Sequence, residues 1–177
     1  MIRIRPIFGV LLASLAAGGA FAQTREVCLE DRAGLNAPTK GSFYQEFQLL
    51  VGPRGVKIED EACRADAIRI SLQRSAPHQP SDVLGAAPIT GSQIAPQLEV
   101  YVDRVVELMP ERQCWNVVGR ALARVAAHEV AHYLGQQQQH SDAGLLQARF
   151  SGAQLASEDS YPFRWISGST APKPTAH

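Results

Sequence analysis

The chain has no charge imbalance, little cysteine and no internal repeat. Its 17 basic residues are matched by 17 acidic ones over 177 positions. That balance gives no electrostatic footprint for nucleic acid or for an anionic membrane surface. The three cysteines, Cys28, Cys63 and Cys114, contain no C-x-x-C spacing. A cysteine-based zinc site is therefore not expected, and no cysteine lies in a local motif with histidine that would suggest a thiol nucleophile. Beyond the N-terminal segment, no apolar run approaches the length needed to cross a membrane.

The N-terminal segment reads as a secretory signal peptide. Arg3 and Arg5 precede a small, apolar stretch from Ile7 to Ala20, and Ala20-Phe21-Ala22 is an A-x-A cleavage site. Residues 1–22 are then removed and the mature chain begins at Gln23, with a small net negative charge. No cysteine directly follows the cleavage site, where Gln23 stands, so no lipoprotein anchor is expected. A secreted or periplasmic protein can keep a disulfide. Three pairings are open. Cys63 with Cys114 is favoured because both sit at the ends of expected elements, and the cysteine left over is free or paired between chains. Residues 23–166 suffice for one domain with a single core. Residues 167–177 are Ser, Thr, Pro, Ala and Gly with few other types, and read as a disordered tail.

Hydrophobic periodicity sets out the elements between these ends. Glu26 to Asp31 alternates and reads as a strand, Gly34 to Pro38 as a turn, and Ser42 to Val51 as a helix closed by Gly52-Pro53. Val56 to Glu59, Ala67 to Leu72 and Leu98 to Asp103 read as three further strands. Asp103 to Leu108 adds a helical turn. Residues 75–97, rich in Pro, Gly, Ser and Ala, read as a long structureless loop. Trp115 to Leu134 is the strongest helix, with an apolar stripe through Val118, Ala121, Leu122, Val125 and Ala126. Ser151 reads as the N-cap of a short helix through Ala156. This order predicts an α+β domain, a small mixed sheet packed on two main helices.

The end of the long helix carries the chemistry. His128-Glu129-Val130-Ala131-His132 is an H-E-x-x-H segment. Residues four apart share a helix face, so His128 and His132 can present two imidazoles to one Zn2+ ion. Glu129 stands beside the first ligand as a candidate general base. Gly135 can end the helix in a left-handed conformation, and His140 follows a run of glutamines. A catalytic zinc takes three protein ligands and keeps one position open. His140 is the favoured third ligand, with Glu158 and Asp142 as alternatives. His78 reads as a loop residue, His177 as part of the tail, and Trp115 and Trp165 as core or docking aromatics. Ser141 belongs to no nucleophile motif.

His128 through Gly135, His140, and then Gly144-Leu145-Leu146 resemble the metzincin metallopeptidases, whose pattern is H-E-x-x-H-x-x-G-x-x-H followed by a turn with a methionine beneath the metal. Ala127 to Phe150, with Val100 to Val105 upstream, is similar to small secreted bacterial proteins of metzincin-like type. The resemblance implies a minimal zincin domain, a zinc-dependent peptidase acting on peptide or protein substrates, with His128, His132 and His140 on the metal and Glu129 as base. Two departures stand out. His140 comes two residues later than in the pattern, and Leu146 occupies the methionine position. Arg149 stands where some metzincins carry a tyrosine, and reads as a surface or salt-bridge residue. The strand at 98–103 is expected to align an extended substrate. A catalytically inactive zinc-binding module of the same fold is the alternative reading.

Overall fold

The structure, a computed structural model, describes residues 24–59, 63–75, 78–109 and 114–166. The expected signal peptide and tail lie outside the described residues. In chain order the elements are β1 (Arg25–Asp31), α1 (Ala37–Val51), β2 (Val56–Glu59), β3 (Ile68–Gln73), β4 (Gly85–Ala86), β5 (Ile89–Thr90), β6 (Gln93–Ile94) and β7 (Gln97–Tyr101). After these come α2 (Val102–Leu108), α3 (Trp115–Gly135) and α4 (Gly152–Ala156). Five strands form one mixed sheet in the order β2-β1-β3-β7-β4, in which only β4 is antiparallel to its neighbour. β5 and β6 form a separate hairpin. The architecture agrees with the α+β expectation.

Register explains where the core sits. Val27 and Leu29 lie opposite Ile68 and Ile70, and Ile70 and Leu72 lie opposite Leu98 and Val100. All are buried. With a side-chain period of two, these residues share one face of the sheet, and α1 and α3 pack there against β2, β7 and β4. The opposite face carries polar partners, including the Arg69–Glu30 ion pair at 3.0 Å and the Gln73–Glu99 hydrogen bond at 2.9 Å. The two helices touch closely because Gly119 has no side chain. A Cβ there would lie 2.2 Å from the Thr39 carbonyl oxygen, so a larger residue would force α1 and α3 apart.

Several expectations are corrected. α1 starts at Ala37, within the segment read as a turn. Asn36 caps it by accepting from the Thr39 N–H at 3.0 Å, and Pro38 falls in the first turn, where it has no helical N–H to lose. The stretch 75–97 is not structureless, since it holds β4, β5 and β6. Two-residue strands are too short to show alternation, and β4 forms because β7 pairs with it. β7 is thereby enclosed by β3 and β4, so the free edge on this side belongs to β4 and not to the strand at 98–103. The disulfide joins Cys28 to Cys63, with Cα atoms 5.5 Å apart. β2 runs parallel to β1, with Glu59 opposite Cys28, so the chain leaving β2 is already close to Cys28. Cys114 is exposed and free at the start of α3. Among the described residues no helix is long and apolar enough to cross a membrane. The disulfide and that observation are compatible with an extracellular or periplasmic protein.

Candidate metal centre

α3 is not the one-sided amphipathic helix that its stripe suggests. Every residue from Ala121 to His132 is buried. The helix is covered all round by α1, α4, β7 and β4, which is the situation of a core helix. His128, Glu129 and His132 therefore sit in a rigid, desolvated setting, with exposures of 9%, 7% and 6%.

The chain orients both helical histidines through their Nδ1 atoms. His128 Nδ1 lies 2.7 Å from the Leu145 carbonyl oxygen, and His132 Nδ1 lies 2.5 Å from the Gln137 carbonyl oxygen. A carbonyl only accepts, so each Nδ1 carries the proton and each Nε2 keeps its lone pair. The two Nε2 atoms face one another at 3.0 Å. His140 completes the group. Its ring lies 5.3 Å from that of His128 and 4.8 Å from that of His132. One nitrogen from each of the three rings falls within 4.8 Å of the others. A tetrahedral ion with bonds of about 2.0–2.1 Å spaces its ligand nitrogens roughly 3.3 Å apart, so the three histidines can hold one metal ion. Among the described residues this is the only such cluster. Asp142 and Glu158 are exposed and lie outside it.

Desolvation sets the charge state of the site. Burial, reinforced by the neighbouring His132 and His140, pushes the His128 pKa down to about 3. His132 and His140 are lowered for the same first reason, burial. All three rings are thus neutral ligands near pH 7, as a metal requires. Burial alone pushes Glu129 up to about 8. Its carboxyl has no hydrogen bond or ion pair among the described residues, although it lines the same cleft as the histidines. The cleft has a volume of about 720 Å³, and its walls include Leu84, Ala86, Ile94 and Phe150. Gly85 on β4 borders Glu129. A Cβ at that position would lie 2.9 Å from Glu129 Oε1 and 2.8 Å from the Glu99 carbonyl oxygen.

The turn beneath the histidines differs in detail from expectation. Gly135 is the last residue of α3, and the left-handed residue is Gln136, with φ 45°. The Gln136 side chain holds that conformation. Its Oε1 accepts from the Ile94 N–H at 2.8 Å and its Nε2 donates to the Ile94 carbonyl at 3.2 Å, which ties the β5–β6 hairpin to the helix end. In the turn after His140 the fully buried leucine is Leu145, whose carbonyl receives His128. Leu146 is half-buried and lines a separate cavity of about 260 Å³ with Trp165 and Ile166.

The remaining candidates fall away from the centre. His78 is exposed, Ser141 pairs through its backbone with Leu146, and Trp115 is 62% exposed. Trp165 stacks under Arg54 at 4.7 Å. His177 lies outside the described residues. Arg149 lines the cleft but is exposed and forms no ion pair among the described residues, which removes the salt-bridge part of its expected role. Sequence reading missed Arg124, one turn before His128. It is wholly buried, bonded to Glu46 at 2.7 Å and to the carbonyls of Gln154, Leu155 and Asp159. The signal was present as one arginine inside the apolar run Ala121 to Ala127. In comparisons with known protein families, curated proteins and solved structures, nothing matches this chain.

Proposed function

We propose that this chain is an exported zinc-dependent peptidase of metzincin-like type, with His128, His132 and His140 as metal ligands and Glu129 as general base. The observation that carries the reading is Glu129 itself. Its carboxyl has no hydrogen-bond partner among the described residues, it stands next in sequence to one of three convergent imidazoles, and it opens on the same cleft of about 720 Å³. Three neutral nitrogen ligands suit zinc. When bound, zinc supplies a Lewis acid that polarises a carbonyl and lowers the pKa of water. Glu129, kept protonated by burial alone, shifts towards the carboxylate beside a dication. In that form it accepts the proton of the attacking water and returns it to the departing amine. The free edge of β4, which borders Glu129, offers main-chain groups to an extended peptide.

The test pairs metal analysis with digestion. Purified mature protein is expected to hold about one zinc per chain. A peptide library digested with wild type should show cleavage that Glu129→Gln lowers by roughly 10³-fold or more while the metal is retained. Equal digestion by both proteins would remove Glu129 as the base. Zinc binding without any cleavage would leave the inactive module as the better reading.

A further inference from the structure

We propose that Arg149 is a specificity residue of the cleft that binds a carboxylate on the peptide, carried either by an acidic side chain or by a free C-terminus. The inference rests on the peptidase reading, which puts a peptide in the cleft.

Arg149 is placed by the same turn that orients His128. The segment leaves Leu145, whose carbonyl receives His128 Nδ1, and reaches Phe150, whose ring meets the His128 ring edge-on at 5.6 Å. Arg149 lies between these anchors and lines the cleft. Its backbone is held by a hydrogen bond from Gln147 Nε2 to its carbonyl oxygen at 2.9 Å. The backbone carbonyl thus has a partner, and the side chain has no hydrogen bond or ion pair among the described residues.

The other charges of the cleft make this position distinct. The second arginine on its wall, Arg104, is engaged by the carbonyl oxygens of Gln79, Pro80 and Val83. Asp82 and Glu107 also line the cleft, and neither forms an ion pair with Arg149. The cleft wall also has apolar members, among them Phe150, the residue after Arg149, Leu108 and Val125. A charge beside such a wall is less screened than one on an open surface. A guanidinium offers a planar fork of donors that matches a carboxylate with two parallel bonds. An exposed, unpaired arginine in a cleft that accepts a peptide is therefore suited to a carboxylate ligand.

The test measures binding directly. Fluorescent peptides are made in matched sets, free acid against C-terminal amide and Glu against Gln at each position. They are titrated into the full mature chain after chelation, so that no metal competes for the carboxylate. Wild type should bind the carboxylate member about tenfold more tightly than its amide partner. Arg149→Gln should abolish that preference, Arg149→Lys should keep part of it, and added salt should shrink it. A preference confined to the free-acid pair assigns the ligand to the peptide terminus. One confined to the Glu/Gln pairs assigns it to an acidic side chain. Equal binding of both members, no peptide binding at all, or an undiminished preference in Arg149→Gln would overturn the proposal. The peptidase reading fails by a different result, the equal digestion by wild type and Glu129→Gln.

Discussion

Two polar clusters are buried on α3 a single turn apart, and they are built in opposite ways. Around Arg124 the inventory is complete. The guanidinium meets the Glu46 carboxylate, the carbonyls of Gln154, Leu155 and Asp159 and the Ser160 hydroxyl, and it lies over the Phe163 ring at 4.3 Å. Nothing is left to bind an outside partner. Around His128 and His132 the Nδ1 atoms are engaged while the Nε2 atoms converge, and the Glu129 carboxyl is unpartnered. A saturated buried network fixes the positions of its neighbours, here α1, α3 and the chain after α4. An unsaturated one that opens on a cleft leaves its free groups for a partner from outside. The contrast separates the part of α3 that holds the fold from the part available for chemistry.

Breaking the saturated cluster should have the largest effect on stability. Glu46→Ala leaves Arg124 buried with its charge uncompensated and should cost about 3–5 kcal/mol, read by chemical denaturation. Molecules that remain folded should keep their metal affinity. A neutral result would mean that the arginine is satisfied by carbonyls alone. His140→Ala should do the reverse. It should weaken metal binding by more than the roughly 10–100-fold typical of an outer-shell change and leave the melting temperature of the chelated protein nearly unaltered. Asp142→Ala and Glu158→Ala should not change metal affinity, and the opposite ranking would reassign the third ligand.

Smaller changes sharpen the comparison. Gly85→Ala inserts a methyl group against the Glu129 carboxyl and the Glu99 backbone. It should retain metal and lower peptide cleavage by about tenfold or more, since displacing a reacting group by about 1 Å can cost up to 10²-fold. Unchanged kinetics would show that Glu129 does not depend on that contact. The subtlest effect is the pH dependence of the chelated protein. Burial lowers the three histidines below their ordinary 6.5 in the fold. Their contribution is full above pH 6.5 and is lost as the pH falls towards the folded value, about 3 for His128. Glu129 is raised from 4.5 to about 8. Its contribution is full below pH 4.5 and is lost as the pH rises towards 8. Between 4.5 and 6.5 three histidines oppose one glutamate, and above 6.5 the glutamate acts alone. Thermal melts should therefore peak near pH 6.5. Glu129→Gln should flatten the alkaline side and, with the opposing group gone, steepen the acid side between pH 4.5 and 6.5.

The histidine cluster was legible because it is written in local code. His128 and His132 share a helix face by spacing, and His140 follows within one short loop. The strands β1, β2, β3 and β7 were likewise marked by β-branched and apolar residues. What escaped depends on contacts distant in sequence. β4 is Gly-Ala and has no strand propensity of its own, so it becomes a strand only because β7 has a free edge beside it. Cys28 meets Cys63 because β1 and β2 are parallel neighbours, which no spacing announces. The α3 face carrying Arg124 reads as a break in a stripe until Glu46, on another helix, is placed opposite. Gln136 was passed over for Gly135 because glycine is the usual left-handed residue. A side chain with two partners on Ile94 makes the rarer choice workable.

That pair of bonds between Gln136 and Ile94 has a dynamic consequence. The Ile94 amide is protected by a side chain and not by a sheet ladder, so it exchanges with solvent whenever the last turn of α3 and the β5–β6 hairpin separate. β5 and β6 pair with each other and not with the five-stranded sheet, and Ile89 and Ile94 line the cleft, so separating the hairpin would break no pairing of that sheet and would widen the cleft. Exchange at this one amide then reports the opening of the cleft rim on its own free-energy scale, below that of global unfolding. A metal ion that anchors His132 to His140 should slow it.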